Sequence, residues 1–238
     1  MEERLFSKYE PKRASDGVAE EIKKAILNKQ FKKGDRLPSE RSLAEQFGVG
    51  RMTVREAIRT LETQDFIKIK KGCEGGPFVG NADPGAVASM LIDNMVLEGL
   101  TREQMTEARI GLQRAVIESA IHHATQYDLD RIAGHLEDSS EILGPDHAKT
   151  VVSRMINFHI LVAEASHNLP YIMFTRTLME WARRRIANWI PTPEIQLYCY
   201  QSHKKTFNAI KHKNIKLAKQ YIKEHIEYMS RYVGDCVE

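Results

Sequence analysis

Apolar residues recur along this chain at two different periods, and the change from one to the other divides the sequence. Between about Ala14 and Asn28, Val18, Ala19, Ile22, Ala25 and Ile26 return every three or four residues, the mark of one buried helix face. Ser15 or Asp16 is its expected cap. Phe31-Lys32-Lys33-Gly34-Asp35 breaks the pattern as a turn, and a short helix is expected from Ser39 to about Phe47, with Leu43, Ala44 and Phe47 inward. Gly48-Val49-Gly50 interrupts it. A third helix follows from Arg51 to about Thr63, burying Val54, Ala57, Ile58 and Leu61. Two helices joined by a short glycine-containing turn predict a helix-turn-helix. The period then drops to two: Phe66 to Lys71 alternates apolar and basic residues, as a strand with one wet face does. Gly72 to Pro77 reads as a turn, and Phe78-Val79 as the start of a return strand, so that the hairpin forms a wing.

Gly80 to Gly85 is a polar break, and beyond it the period is helical throughout. Segments are expected at 85–98, 102–124, 127–142, 147–166, 169–189, 193–212 and 214–233, separated by Gly99, Gly144-Pro145, Asn168-Leu169-Pro170 and Pro191-Thr192-Pro193. The predicted fold is mainly α. A winged helix-turn-helix occupies residues 1–80, a linker 81–85, and an antiparallel all-helical bundle of about seven helices 86–238.

Composition narrows this picture in three ways. No apolar run approaches the roughly 20 residues that a membrane helix needs, so no membrane partner is expected. The charged start Met1-Glu2-Glu3-Arg4 does not resemble a secretory signal. Cys73, Cys199 and Cys236 are scattered without a CxxC pair, which fits a reducing cytoplasm better than a disulfide framework. Net charge is only +3, yet residues 1–80 carry 17 basic against 13 acidic side chains and the remainder 18 against 19. That imbalance is mild, so the placement of the arginines matters more than their number.

Arg51, Arg55 and Arg59 recur every four residues on the face of the third helix opposite Val54, Ile58 and Leu61. Such a stripe is either a solvated surface, partly paired with Glu56 or Glu62, or a face that meets an anion. Inserted N-terminus first into a major groove, the helix would aim Arg51 and Thr53 at base edges or phosphates, with Arg55 close behind. Lys71 and Gly72 would bring the wing's basic edge and glycine tip to the backbone. Pro38-Ser39-Glu40-Arg41, Leu43-Ala44, Val49 to Ala57 and Leu61, together with the wing, resemble the signature of the GntR family of transcription regulators over residues 14–80. The resemblance implies that Arg41, Arg51 and Arg55 carry the main base and phosphate contacts, with Thr53 on a phosphate and Gly72 in the minor groove. It also implies a homodimer on a near-palindromic double-stranded operator, most often as a repressor. Gly50 stands where Ser or Thr is common, which removes one phosphate contact.

In the helical region, His203 and His225 lie about 10 and 11 residues from the turn at Lys213-Asn214. At 1.5 Å per residue each is roughly 15–17 Å from that turn, so an antiparallel hairpin brings the two to one level. His159 sits mid-helix beside Phe158 and Leu161. The three are either separate core or rim residues, or a convergent site for Zn²⁺, Ni²⁺ or a similar ion with positions open to a ligand. Phe158-His159, Ala163 to Asn168, His203 with Ala209-Ile210, and Ala218 to His225 resemble the FCD ligand domain of the FadR branch. That resemblance implies a metal on three histidines and one aspartate. Met155 replaces the aspartate, which leaves a three-histidine site, a site completed by water or effector, or no metal and a bulkier ligand. Arg109, opening the similar stretch Arg109 to Gln113, is implied to face the cavity and to bind an organic acid. Glu180 to Arg185 would turn an arginine inward or toward a dimer face. A hydrolase is the competing class, but there is no HExxH motif and no carboxylate at helical spacing from His159 to act as a base.

Overall fold

The computed structural model describes residues 13–72, 75–80 and 84–234. The chain divides into two compact units, Met1–Asp83 and Pro84–Glu238. Cys73 and Glu74 in the expected turn, residues 81–83 of the expected linker, and Cys236 lie outside the described residues.

In the first unit α1 (Ala14–Leu27), α2 (Glu40–Phe47) and α3 (Arg51–Thr63) precede the antiparallel strands β1 (Ile67–Lys70) and β2 (Gly76–Val79). Val18, Ile22, Leu43, Val54, Ile58 and Ile67 supply its core. The Ser39 hydroxyl accepts from Ser42 N at 3.2 Å and caps α2, an ordinary use of serine where backbone N–H groups lack partners. Gly48, at φ 65°, ends α2 in the left-handed conformation that glycine adopts without steric cost. Neither Ser15 nor Asp16 caps α1: the helix starts at Ala14, both residues lie in its first turn, and Ser15 is buried there. The return strand also starts earlier than expected, with Gly76 opposite Lys70 and Pro77 opposite Ile69. Pro77 fits there because only its carbonyl is required: it accepts from Leu37 N at 2.9 Å.

The second unit comprises α4 (Pro84–Leu97), α5 (Arg102–His123), α6 (Gln126–Glu141), a 3₁₀ turn at Pro145–His147, α7 (Ala148–Glu164), α8 (Leu169–Arg185), α9 (Pro193–Lys211) and α10 (Ile215–Gly234). The first of these begins inside the expected linker. Thr101 and Thr125 each exchange hydrogen bonds with the residue three places on, closing capping boxes that start α5 and α6. Lys213, at φ 53°, makes the turn between α9 and α10. Packing of α10 on α5 and α9, and of α7 on α5, α6 and α8, encloses a core that includes Val116, Ile132, Phe158, Val162, Ile210 and Ile222. The eighth helix ends at Arg185 rather than near 189, since Trp189 turns back against the small Ile156, Met179 and Ile186 cluster. Among the described residues no helix is long and apolar enough to cross a membrane.

Candidate functional site: an arginine face and a buried histidine centre

On α3 the apolar face is fully sealed, with Val54 and Ala57 at 0% exposure, which fixes the opposite face outward. Arg51 and Arg59 are exposed, and Thr53 and Arg55 half-buried. Arg55 is held by Glu40 at the start of α2: its Nε donates to Oε1 at 3.3 Å and Oε2 at 3.1 Å, and its Nη2 to Oε2 at 2.8 Å. Those hydrogen bonds hold the Glu40 carboxyl below its usual range, helped by the charges of Arg55, Arg51 and Arg59. The acidic partner is therefore neither Glu56 nor Glu62. The Glu62 carboxylate instead accepts from Ile69 N at 3.3 Å, tying α3 to the wing. Arg41 projects into solvent beside Glu45, its Nε 3.0 Å from Oε1. Lys71 and Gly72 are exposed, and Gly72 has φ 106°, a conformation that strains any side chain. Sequence reasoning missed Arg36, whose Nη2 donates to Gly75 O at 2.5 Å and so holds the hairpin end from outside it.

In the second unit α7, α9 and α10 bring His159, His203 and His225 together, each at most 3% exposed, with one ring nitrogen from each within 4.8 Å of the others. His203 Nε2 and His225 Nε2 are 3.2 Å apart. Ser202 Oγ lies 2.8 Å from both Cys199 O and His225 Nδ1, which holds the His225 ring so that its Nε2 faces His203. Gln113 Oε1 lies 3.4 Å from His159 Nδ1, and Phe158 stacks on His203 at 4.1 Å between ring centres. Burial pushes His225 down to about 3, with the Arg109 charge adding to the effect. His159 and His203 also lie well below the usual imidazole value, burial again first and neighbouring histidines second. All three rings are neutral at pH 7, the state in which imidazole ligates a metal.

These residues fit a divalent ion. Ligand nitrogens at about 2.0–2.1 Å from a tetrahedral zinc lie roughly 3.3 Å from each other, close to the His203–His225 spacing. Beside the histidines a small cavity of about 50 Å³, partly open to solvent, is lined by Arg109, Met155, Met179, Trp181, Trp189 and Cys199 among others. Arg109 Nε is shielded from water and has no hydrogen-bond partner, and burial lowers the guanidinium to about 10. The residue as a whole is half-buried, so the sealed atom is Nε rather than the entire guanidinium.

Residues 14–74 match the family described as bacterial regulatory proteins, gntR family, and residues 104–228, more than half of the chain, match the FCD domain. The chain is a GntR-family transcription regulator with an FCD domain. It is a DNA-binding regulator and not an enzyme. This GntR-family chain is 28% identical over 226 residues to the HTH-type transcriptional repressor NanR of Citrobacter rodentium, covering 92% of this chain and 85% of that one. It is 27% identical to the protein of the same name from Escherichia coli K12, over 92% and 84%. Among solved structures, Streptococcus agalactiae GntR superposes with a TM-score of 0.72 at 21% identity, covering 92% of this chain and 99% of that one. The fold is shared with that protein.

In this GntR-family chain the arginine run at the end of α8 does not act as one group. Arg183 pairs with Glu180, Arg184 with Asp93 of α4 at 2.6 Å, and Arg185 lies over the Trp181 ring. Arg185 and Arg102 flank a depression that also reaches the half-buried Arg109, so positive charge lines the approach to it.

Proposed function

We propose that the chain is a cytoplasmic homodimeric repressor that binds a near-palindromic operator and is controlled by a small organic acid held in the FCD cavity. Arg41, Arg51, Thr53 and Arg55, with Lys71 and Gly72 of the wing, supply the DNA contacts. His159, His203 and His225 hold a divalent ion such as Zn²⁺ or Ni²⁺, which when bound gives the acid's oxygen atoms a Lewis-acidic partner. Arg109 takes the carboxylate, and the apolar walls made by Met179, Trp181 and Trp189 take the rest of the molecule. The observation that carries this reading is the sealed, unpartnered Arg109 Nε on the wall of a cavity that His159 and His225 also line. The NanR relatives, named as repressors, support the sign of regulation. The acid acts on DNA by binding one dimer arrangement better than another, its differential affinity setting the size of the response.

Two measurements test it. Mass-spectrometric metal analysis of protein purified without chelator or affinity tag should find about one ion per chain, lost in His203→Ala. An operator selected from random DNA should read as two half-sites about one helical turn apart. Absence of metal from both proteins would remove the ion from the proposal, and a single asymmetric site would remove the dimer.

A further inference from the structure

The three histidines of this site carry no charge to offset a dication, and Met155 supplies none. Cys199 stands on α9 one turn before His203, so the two side chains share a helix face, and the thiol is 1% exposed. Its Sγ lies 4.0 Å from His203 Nε2, the same nitrogen that faces His225 Nε2 at 3.2 Å. In a tetrahedral centre with metal–nitrogen bonds of about 2.0–2.1 Å and a metal–sulfur bond of about 2.3 Å, sulfur and nitrogen ligands are roughly 3.6 Å apart. The thiol is about 0.4 Å beyond that spacing from His203 and does not lie within 4.8 Å of all three histidine ligand atoms, so it must turn about its Cα–Cβ bond to join them. It lines the same cavity wall as His159 and His225. Two polar groups beside this wall also lack partners: Arg109 Nε, and Nε2 of Gln113, whose other amide atom touches His159 and whose side chain is 1% exposed. Both are hydrogen-bond donors, which suits a site that holds negative charge when filled.

We propose that Cys199 is the fourth, anionic ligand of this centre, taking the place that Met155 leaves, so that the ion is held by three nitrogens and one sulfur. This rests on the metal reading above. On binding, the S–H bond breaks, the metal–sulfur bond forms and the proton leaves to solvent, with no change of oxidation state. A sulfur ligand makes the site favour Zn²⁺, Co²⁺ and Cd²⁺ over oxygen-seeking ions such as Mn²⁺ and Mg²⁺. It also closes one of the positions that a chelating acid would otherwise fill, which leaves the acid more dependent on Arg109.

Cobalt provides the test. Full-length protein stripped with chelator and titrated with Co²⁺ should show the visible bands of a four-coordinate ion together with a near-ultraviolet sulfur-to-cobalt charge-transfer band. In Cys199→Ser the visible bands should persist and the charge-transfer band should vanish, with zinc affinity falling by roughly tenfold or more. X-ray absorption on the zinc-loaded wild-type protein, which needs no variant to fold, should find one sulfur scatterer at about 2.3 Å. Visible bands without the charge-transfer band, and a zinc shell of nitrogen and oxygen alone, would overturn the assignment of Cys199 and leave the histidine site standing. Failure of the wild-type protein to take up cobalt or zinc would overturn both.

Discussion

Arg109 keeps its charge against a mostly apolar wall, and an acid that meets it should lock the FCD domain thermally. At a concentration 100 times its dissociation constant such a ligand adds about 2.7 kcal/mol. Arg109→Met should abolish that shift in a thermal-denaturation screen of carboxylates while the metal content stays unchanged; a shift of the same size in the variant would place the acid elsewhere. Protonation of the histidines gives a second expectation. In the metal-free protein His225 binds its proton only near pH 3, against an ordinary value of 6.5, so between these values the unfolded chain holds more protons. Stability is therefore complete above pH 6.5 and falls as the solution is acidified toward 3. Chelator-treated protein should melt at a clearly lower temperature at about pH 5 than at about pH 7.5, and His225→Asn should lessen the dependence, His159 and His203 keeping the rest. The shared level of His203 and His225 was legible in the sequence because helix rise and one turn position are enough to compute it. Ser202 and Gln113 were not, since which small polar side chain touches a ring depends on how helices rotate about their axes.

Helices α2 and α3 are joined by a bidentate ion pair that neither helix's periodicity announces. Glu40 and Arg55 are 15 residues apart, and their meeting depends on the crossing angle of the two helices. The arginine stripe itself was readable because it needs only the helical period. Arg55→Ala should weaken operator binding by about 1–3 kcal/mol, as for an arginine on a base edge. Glu40→Gln frees the guanidinium without removing it. It should reduce discrimination between operator and random DNA in an anisotropy titration; equal discrimination would mean that Glu40 balances charge and does not aim Arg55. Element boundaries were the less legible part. Ser15 looked like a cap and is a core residue, and α8 stopped early because Trp189 found a packing partner that no local signal names.

At the scale of the whole molecule, two units with separate cores imply two cooperative melts. Scanning calorimetry should resolve them, and added Zn²⁺ should raise only the transition of the unit that holds the histidines. Movement of both together would mean that the units unfold as one. The break between them was visible in the sequence as a change of period, from two in the wing to 3.6 beyond Gly85, whereas the exact start of α4 at Pro84 was not. One contact in the first unit bears on how the protein meets its operator. With Arg36 bonded to the Gly75 carbonyl, the start of β2 would meet DNA, on the proposed binding mode, already tied to the rest of its unit, and the freedom it lacks was surrendered during folding. Removing that tether, as in Arg36→Met, should leave the enthalpy of operator binding nearly unchanged and make its entropy less favourable, a difference that isothermal calorimetry reads directly. Where it is tied, this strand is closer to a fixed blade than to a searching finger, and its contribution should appear as a slower departure from DNA rather than a faster arrival.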